Sequence, residues 1–238
     1  MLFRSWVLGD LESADATARG LCVGGECVVV SVDYRLAPDT KFPGLSDDCW
    51  AATIWAVENA ASINADGSRL AVGGDSAGGN LAAAMCLMAA DRGGPDIALQ
   101  LLIYPVTDAH FTTVSYSDNG EGYGLTQVVM EWYWDHYLSS SADAFNPYAA
   151  PAQAKSLAGQ PPALVITAEF DPLRDEGEAY GKRLSEAGVE TTITRYDGVI
   201  HGFFNMGAAV DKSVQAVDEA SAALRKAFAR SGAPSAAD

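Results

Sequence analysis

The chain has 238 residues, 49% of them apolar, and carries a formal net charge of −16. This length and apolar content suffice for one large core, which favours a single domain over residues 1–238 rather than two small ones. The excess of negative charge argues against nucleic acid or an anionic membrane as a partner, because either would repel such a surface. No apolar run is long enough for a signal peptide or a membrane span, so we expect a cytoplasmic protein with no membrane partner.

Four cysteines lie in or beside apolar segments of the chain: Cys22, Cys27, Cys49 and Cys86. They form no CxxC pair, and no histidine stands at a spacing typical of zinc ligands. We therefore expect buried, reduced thiols and no metal site.

Predicted strands and helices alternate along most of the chain. In chain order they are a strand at residues 27–34, a helix at 46–61, a strand at 69–74, a helix at 77–91, a strand at 98–104, an aromatic-rich helix near 126–138, a strand at 163–168, a helix at 175–187, a strand at 190–196 and a helix at 211–229. This alternation predicts an α/β fold with a mostly parallel sheet and helices on both faces. Residues 106–162 interrupt the rhythm, and such an excursion between strands often covers a functional site.

The segment VGGDSAGGN places a lone serine, Ser76, among glycines where a predicted strand becomes a predicted helix. Gly74, Ser76 and Gly78 fit the pattern G-x-S-x-G of a nucleophile elbow. In that turn the serine hydroxyl projects above the sheet, and the backbone N–H of the next residue, here Ala77, faces the reacting carbonyl. Phosphate binding is an alternative, but neither G-x-G-x-x-G nor G-K-S/T is present. Close packing alone is a second alternative.

A serine nucleophile needs a histidine base. The chain has three histidines. His201 is the predicted base, because it follows the last predicted strand, at the end of the sheet where α/β folds assemble their sites. His136 lies within the aromatic-rich helix, and His110 precedes every plausible acid, whereas the expected order is serine, acid, histidine.

The base in turn needs a carboxylate, and the segment AEFDPLRDE offers four candidates. Asp171 is the first choice because it lies in the loop directly after the strand at residues 163–168. Glu169 is the second choice. Asp175 and Glu176 fit the first turn of the following helix, where the helix dipole favours negative charge.

The motifs GDSAGGN, DYRLAP, DPLRDEGEAY and HGF occur in this order. From about residue 7 to about residue 229 the chain resembles the hormone-sensitive-lipase-like (family IV) esterases of the α/β-hydrolase fold. The resemblance implies a serine carboxylesterase for short- to medium-chain acyl esters that uses no cofactor, with Ser76 as nucleophile, Asp171 as orienting acid and His201 as base. It also implies an oxyanion hole that includes the Ala77 N–H, and a possible homodimer through the strand at residues 190–196.

The N-terminal segment departs from the family pattern. Where the family has a glycine-rich HGGG loop, this chain has Leu2, Phe3, Arg4 and Ser5, whose side chains we expect to crowd the oxyanion hole. Losing one oxyanion donor typically costs about 10² to 10³ in rate. The family also has N-terminal cap helices and a central strand between those at residues 27–34 and 69–74. We therefore expect an N-terminally truncated esterase of weak activity, the alternatives being an impaired fragment or a non-catalytic small-molecule binder on the same fold.

Three residues are candidates for lining a substrate pocket. Asp75 precedes the nucleophile, although it could instead bond its own turn. Trp132 belongs to an aromatic cluster that could instead pack in the core. Phe203 lies two residues after His201.

Overall fold

In the described part of the chain, five parallel strands lie side by side in chain order in one sheet. The computed structural model describes residues 1–3 and 5–231, so Arg4 and residues 232–238 lie outside the described part. The strands are β1 (Leu2–Phe3), β2 (Leu70–Asp75), β3 (Ile97–Ile103), β4 (Ala163–Phe170) and β5 (Thr191–Ile200). The sheet confirms the predicted mostly parallel α/β architecture.

Helices cover both faces of this sheet, as predicted. The described residues form α1 (Leu11–Gly25), α2 (Gly44–Glu58), α3 (Ala77–Arg92), α4 (Val114–Asn119), α5 (Gln127–Tyr137), α6 (Arg174–Glu186) and α7 (Asp211–Ser231). Successive strand residues point to opposite faces. In β3, Leu102 packs with α3 and α6 in one buried cluster, whereas Leu101 and Ile103 pack with α1 and α7 in a second. The core is therefore divided into two layers by the sheet.

The prediction of a strand at residues 27–34 is wrong. Only Ser31 forms a bridge, with Leu2 of β1, supported by hydrogen bonds from Leu2 N to Val30 O at 2.9 Å and from Val32 N to Leu2 O at 3.2 Å. The segment has strand-like composition, but the strand beside it, β1, is only two residues long, so most of the segment has no strand to pair with. On its other side β1 pairs with β2, so it lies where the family resemblance places a central strand.

Two helices were not anticipated from the sequence pattern. The first, α1, begins with a capping box in which Asp10 Oδ1 accepts from Ser13 N and Ser13 Oγ accepts from Asp10 N. The second, α4, has only six residues and lies in the excursion at residues 106–162. A third difference concerns β5, which continues four residues beyond the predicted end, so that His201 follows it directly.

The aromatic-rich helix of the excursion packs against the N-terminal segment. Trp6 stacks on Tyr137 with ring centroids 4.0 Å apart and meets Trp134 edge-on at 4.7 Å. All three side chains are buried, so Trp134 and Tyr137 belong to the core. Cys49 and Cys86 are buried, as predicted, whereas Cys22 and Cys27 are half-buried. Within the described part of the chain, no helix is both long enough and apolar enough to cross a membrane.

Candidate active site

A tight turn between β2 and α3 presents Ser76. The backbone of Ser76 adopts φ 56° and ψ −118°, a conformation that residues with a side chain rarely take up. Three backbone hydrogen bonds hold the turn: Ser76 N donates to Ile103 O at 2.9 Å, and Ser76 O accepts from Asn80 N at 3.1 Å and from Val106 N at 3.2 Å. The conformation that exposes the hydroxyl is thus maintained by the neighbouring strand and the loop after it.

Glycine is required next to this turn on steric grounds. A Cβ atom at Gly74 would lie 2.4 Å from the backbone carbon of Gly78 and 2.6 Å from the Phe3 carbonyl oxygen. Real Cβ atoms do not approach backbone this closely, so any larger residue would push the turn open. The G-x-S-x-G pattern therefore reflects close contact of β1, β2 and α3 around Ser76.

The structure brings the three predicted triad residues into one hydrogen-bonded chain. His201 Nε2 lies 3.0 Å from Ser76 Oγ, and His201 Nδ1 lies 2.7 Å from Asp171 Oδ2. Asp171 is fully buried, and its other oxygen, Oδ1, accepts from Leu173 N at 2.9 Å. A carboxylate facing Nδ1 favours the tautomer with its proton there, which leaves the Nε2 lone pair for the serine hydroxyl.

The other candidates lie elsewhere. Glu169, the second choice for the acid, accepts from the backbone N–H of Gly198 through Oε2. His110 pairs with Asp108 at 2.8 Å and is half exposed, and His136 bonds a backbone oxygen of its own helix. Asp171 and His201 thus differ from these alternatives because they face each other and because His201 also faces Ser76.

Donors for an oxyanion are available on one side of Ser76. The N–H of Ala77 opens α3, and the first N–H groups of a helix have no partner within the helix. On the opposite side, Phe3 and Leu2 are buried in the cores on the two faces of the sheet, and Leu2 also lines a cavity that reaches Asp75. Arg4 is outside the described residues, and Ser5 uses its carbonyl to accept from Tyr34 Oη at 2.7 Å.

The three pocket candidates have different surroundings. Asp75 lines a cavity of about 270 Å³ beside the elbow, and its Oδ2 accepts from Asn205 Nδ2 at 3.1 Å. Burial raises the pKa of Asp75. Trp132 is 43% exposed and contacts Tyr133, which does line the cavity. Phe203 is fully buried in the core layer that includes α1 and α7. The sequence pattern did not point to Asn205, whereas Tyr133 belongs to the aromatic cluster that it offered as a pocket lining.

Glu176 lies in the first turn of α6, as predicted from the sequence, but its side chain is buried. Its Oε1 accepts from Thr107 N at 2.7 Å and from Asp108 N at 3.2 Å, which ties α6 to the start of the excursion. Burial raises the pKa of this carboxyl well above its usual range. The folded chain therefore retains a proton that the unfolded chain loses near the ordinary glutamate pKa of about 4.3.

This raised pKa predicts a pH-dependent effect of Glu176→Gln. The wild type loses stability as pH rises from the ordinary glutamate pKa toward the raised one, because only the unfolded chain has released the proton there. Glutamine can keep both backbone hydrogen bonds and has no proton to lose. We expect the free energy of unfolding in urea, variant minus wild type, to increase between pH 4 and pH 8. The exposed Glu186→Gln is the control, and an unchanged difference across this range would contradict the prediction.

In the described part of the chain, no group of three or more histidine, cysteine, aspartate or glutamate side chains is arranged to hold a metal ion.

Comparison with known proteins agrees with the fold. A family model described as alpha/beta hydrolase fold matches residues 5–205. Carboxylesterase NlhH of Mycobacterium tuberculosis is 42% identical over 94% of this chain and 71% of its own length. Ethyl acetate hydrolase of Pseudomonas putida is 39% identical over 87% of this chain and 66% of its own length.

Solved structures show the same relationship. The hyperthermophilic esterase from the archaeon Pyrobaculum calidifontis superimposes with a TM-score of 0.92 at 43% identity, covering 94% of this chain and 75% of that one. An α/β hydrolase from the metagenome of Lake Arreo gives a TM-score of 0.92 at 43% identity, covering 96% and 73%. The chain belongs to the hormone-sensitive-lipase-like (family IV) carboxylic ester hydrolases of the α/β-hydrolase fold.

Proposed function

We propose that the protein is a serine carboxylesterase that hydrolyses short- to medium-chain acyl esters through an acyl-enzyme intermediate. The observation that carries this proposal is the hydrogen-bonded chain from Ser76 through His201 to the buried Asp171. The geometry matches that required of nucleophile, base and orienting acid in other serine hydrolases.

In the first half-reaction, Ser76 Oγ attacks the carbonyl carbon of the ester while His201 Nε2 takes the hydroxyl proton. Asp171 stabilises the imidazolium that forms, and the Ala77 N–H donates to the oxygen of the tetrahedral intermediate. When that intermediate collapses, the bond to the alkoxy oxygen breaks and His201 returns the proton to it, releasing the alcohol. The acyl group is left on Ser76.

In the second half-reaction, water replaces the alcohol. His201 takes a proton from water while the water oxygen attacks the acyl carbon. His201 then returns that proton to Ser76 Oγ as the carboxylic acid leaves. Over the whole cycle, each proton lost by one group is gained by another.

The substrate class is supported by the relatives. Two of them are named for hydrolysis of carboxylic esters, and ethyl acetate, the substrate in one name, has a short acyl chain. We propose the same substrate class for the present chain. We also propose a cytoplasmic location and a homodimer formed through β5, which lies at an edge of the described sheet.

The test is hydrolysis of p-nitrophenyl esters from acetate to laurate, combined with labelling by a fluorophosphonate and mapping of the modified peptide. We expect the highest rates for short and medium acyl chains, and the label on Ser76. A folded protein that hydrolyses none of the esters, or that carries its label on another residue, would contradict the proposal. Cooperative thermal unfolding serves as the check that the protein is folded.

A further inference from the structure

We propose that Ser115 of α4 is a positioning residue, which holds the acid loop (residues 169–175) so that the Asp171 carboxylate stays on His201. This inference rests on the proposed function, in which Asp171 orients the base. It assigns part of the site's geometry to the excursion at residues 106–162, which the sequence pattern marked only as a possible cover.

Ser115 makes three hydrogen bonds to the acid loop, two through its side chain and one through its backbone. Its Oγ donates to the Pro172 carbonyl oxygen at 2.7 Å and accepts from Asp175 N at 3.2 Å. Its backbone N donates to Asp175 Oδ2 at 2.8 Å. Ser115 is fully buried, so water does not compete for these bonds. One residue thereby fixes the loop just after Asp171 and at the start of α6.

Asn119 lies one turn further along α4, on the same face of the helix. Its Nδ2 faces two backbone oxygens of the acid loop, Glu169 O at 3.3 Å and Asp171 O at 3.4 Å. These contacts are longer than those of Ser115, and we therefore treat Asn119 as a secondary support.

Ser115 and Asn119 add to a few other contacts of the acid-loop backbone, among them the pairing of Phe170 with Ile200 and a hydrogen bond from Arg174 Nη1 to Glu169 O at 3.0 Å. Asp171 follows the end of β4, and Pro172 has no N–H to donate. Within the loop, Leu173 N donates to the Asp171 carboxylate and Arg174 N donates to Asp171 O at 3.2 Å. These local bonds define the shape of the turn, whereas Ser115 fixes the turn relative to the rest of the site.

A small displacement of the loop would matter for catalysis. The His201 ring is held by Asp171 at one nitrogen and must meet Ser76 at the other. Displacements of about 1 Å in such groups can cost about 10² in rate. The six-residue α4 is itself too short to be stable alone, so its contacts with the loop hold both segments in place.

A purely structural role would also make Ser115 important, so the test must separate positioning from folding. The variants are Ser115→Ala, which removes the hydroxyl, Ser115→Cys, which keeps a similar size but bonds weakly, and Ser115→Thr, which keeps the hydroxyl. Ser117→Ala, at an exposed position of the same helix, is the matched control. Active sites are counted by the p-nitrophenol released on complete reaction with diethyl p-nitrophenyl phosphate, and kcat is expressed per titrated site.

We expect Ser115→Ala and Ser115→Cys to lower kcat per titrated site about 10- to 100-fold, with KM for p-nitrophenyl butyrate within about twofold of the wild type. Ser115→Thr should recover most of the rate, and Ser117→Ala should match the wild type. If Ser115→Ala does not fold, Ser115→Cys decides the question.

The inference is wrong if the folded Ser115 variants keep wild-type kcat per titrated site, even if they melt at lower temperature or contain fewer titratable sites. Asp171→Asn, measured alongside, separates this result from failure of the proposed function. If Asp171→Asn loses activity while the Ser115 variants do not, only the positioning role is overturned. If Asp171→Asn is also fully active, the proposed triad is wrong.

Discussion

Ser76→Ala is expected to lower kcat for p-nitrophenyl butyrate by about 10⁶-fold. The variant lacks the atom that forms the acyl bond, and no neighbouring side chain replaces it, because Ala77 and Asp75 flank the position. The backbone contacts of the turn do not involve the hydroxyl, so the fold should persist. Initial rates with purified protein, compared with Ser117→Ala, measure the effect.

A second variant at the same position examines the strained backbone of the elbow. Ser76 has φ 56° and ψ −118°, a conformation that glycine adopts more easily than serine or alanine. Relief of such strain is worth about 1–3 kcal/mol, against about 0.5–1 kcal/mol for the added freedom of glycine in the unfolded chain. We expect Ser76→Gly to melt at a higher temperature than Ser76→Ala, and to be equally inactive. Hydrolysis by either variant near the wild-type rate would exclude Ser76 as the nucleophile.

The strand order and the elbow were predictable because their signals are local. Apolar runs bounded by glycine and proline indicated β2, β3 and β4, and the spacing of Gly74, Ser76 and Gly78 indicated the turn. The prediction of a strand at residues 27–34 was wrong because pairing is not a local property. A strand forms only where a neighbouring strand can pair with it, and beside this segment only Leu2 is in register, opposite Ser31.

Burial within the site was harder to predict than its chemistry. Phe203 and Trp132 are both aromatic and both lie near motif residues, yet one is fully buried and the other is 43% exposed. Their sequence neighbours do not distinguish them, because burial depends on packing between distant elements. The hydrogen bonds of Ser115 with residues 172 and 175 span about 60 positions and carry no local signature.

The choice between Glu169 and Asp171 as the acid was likewise open at the level of sequence. Residues two apart in a strand share a face, so a regular β4 would have turned both carboxylates the same way. The pairing of β4 with β5 shifts register between Ala168 and Phe170, and this irregularity breaks the alternation just before the loop. The carboxylates then separate, Glu169 to the backbone of Gly198 and Asp171 to His201.

This separation gives the second large effect: Asp171→Asn is expected to lower kcat by about 10⁴-fold, with little change in KM. Leu173 N donates to Oδ1 of Asp171, so an asparagine there keeps its oxygen on Leu173 and turns its NH₂ toward His201 Nδ1. His201 Nδ1 must then accept, which moves the imidazole proton to Nε2. In that tautomer Nε2 cannot accept the proton of Ser76.

Glu169→Gln is the matched control, because it makes the same change of carboxylate to amide two residues away. The amide oxygen of glutamine can still accept from Gly198 N, so the loop keeps its shape and kcat should stay within about twofold of the wild type. If Glu169→Gln were the inactive variant and Asp171→Asn the active one, the assignment of the acid would be reversed. If both were active, the role of a carboxylate behind His201 would be wrong. A loss confined to Asp171→Asn would tie the rate to the tautomer of His201, because both variants remove one negative charge from the same loop and only one of them reverses the hydrogen bond at Nδ1.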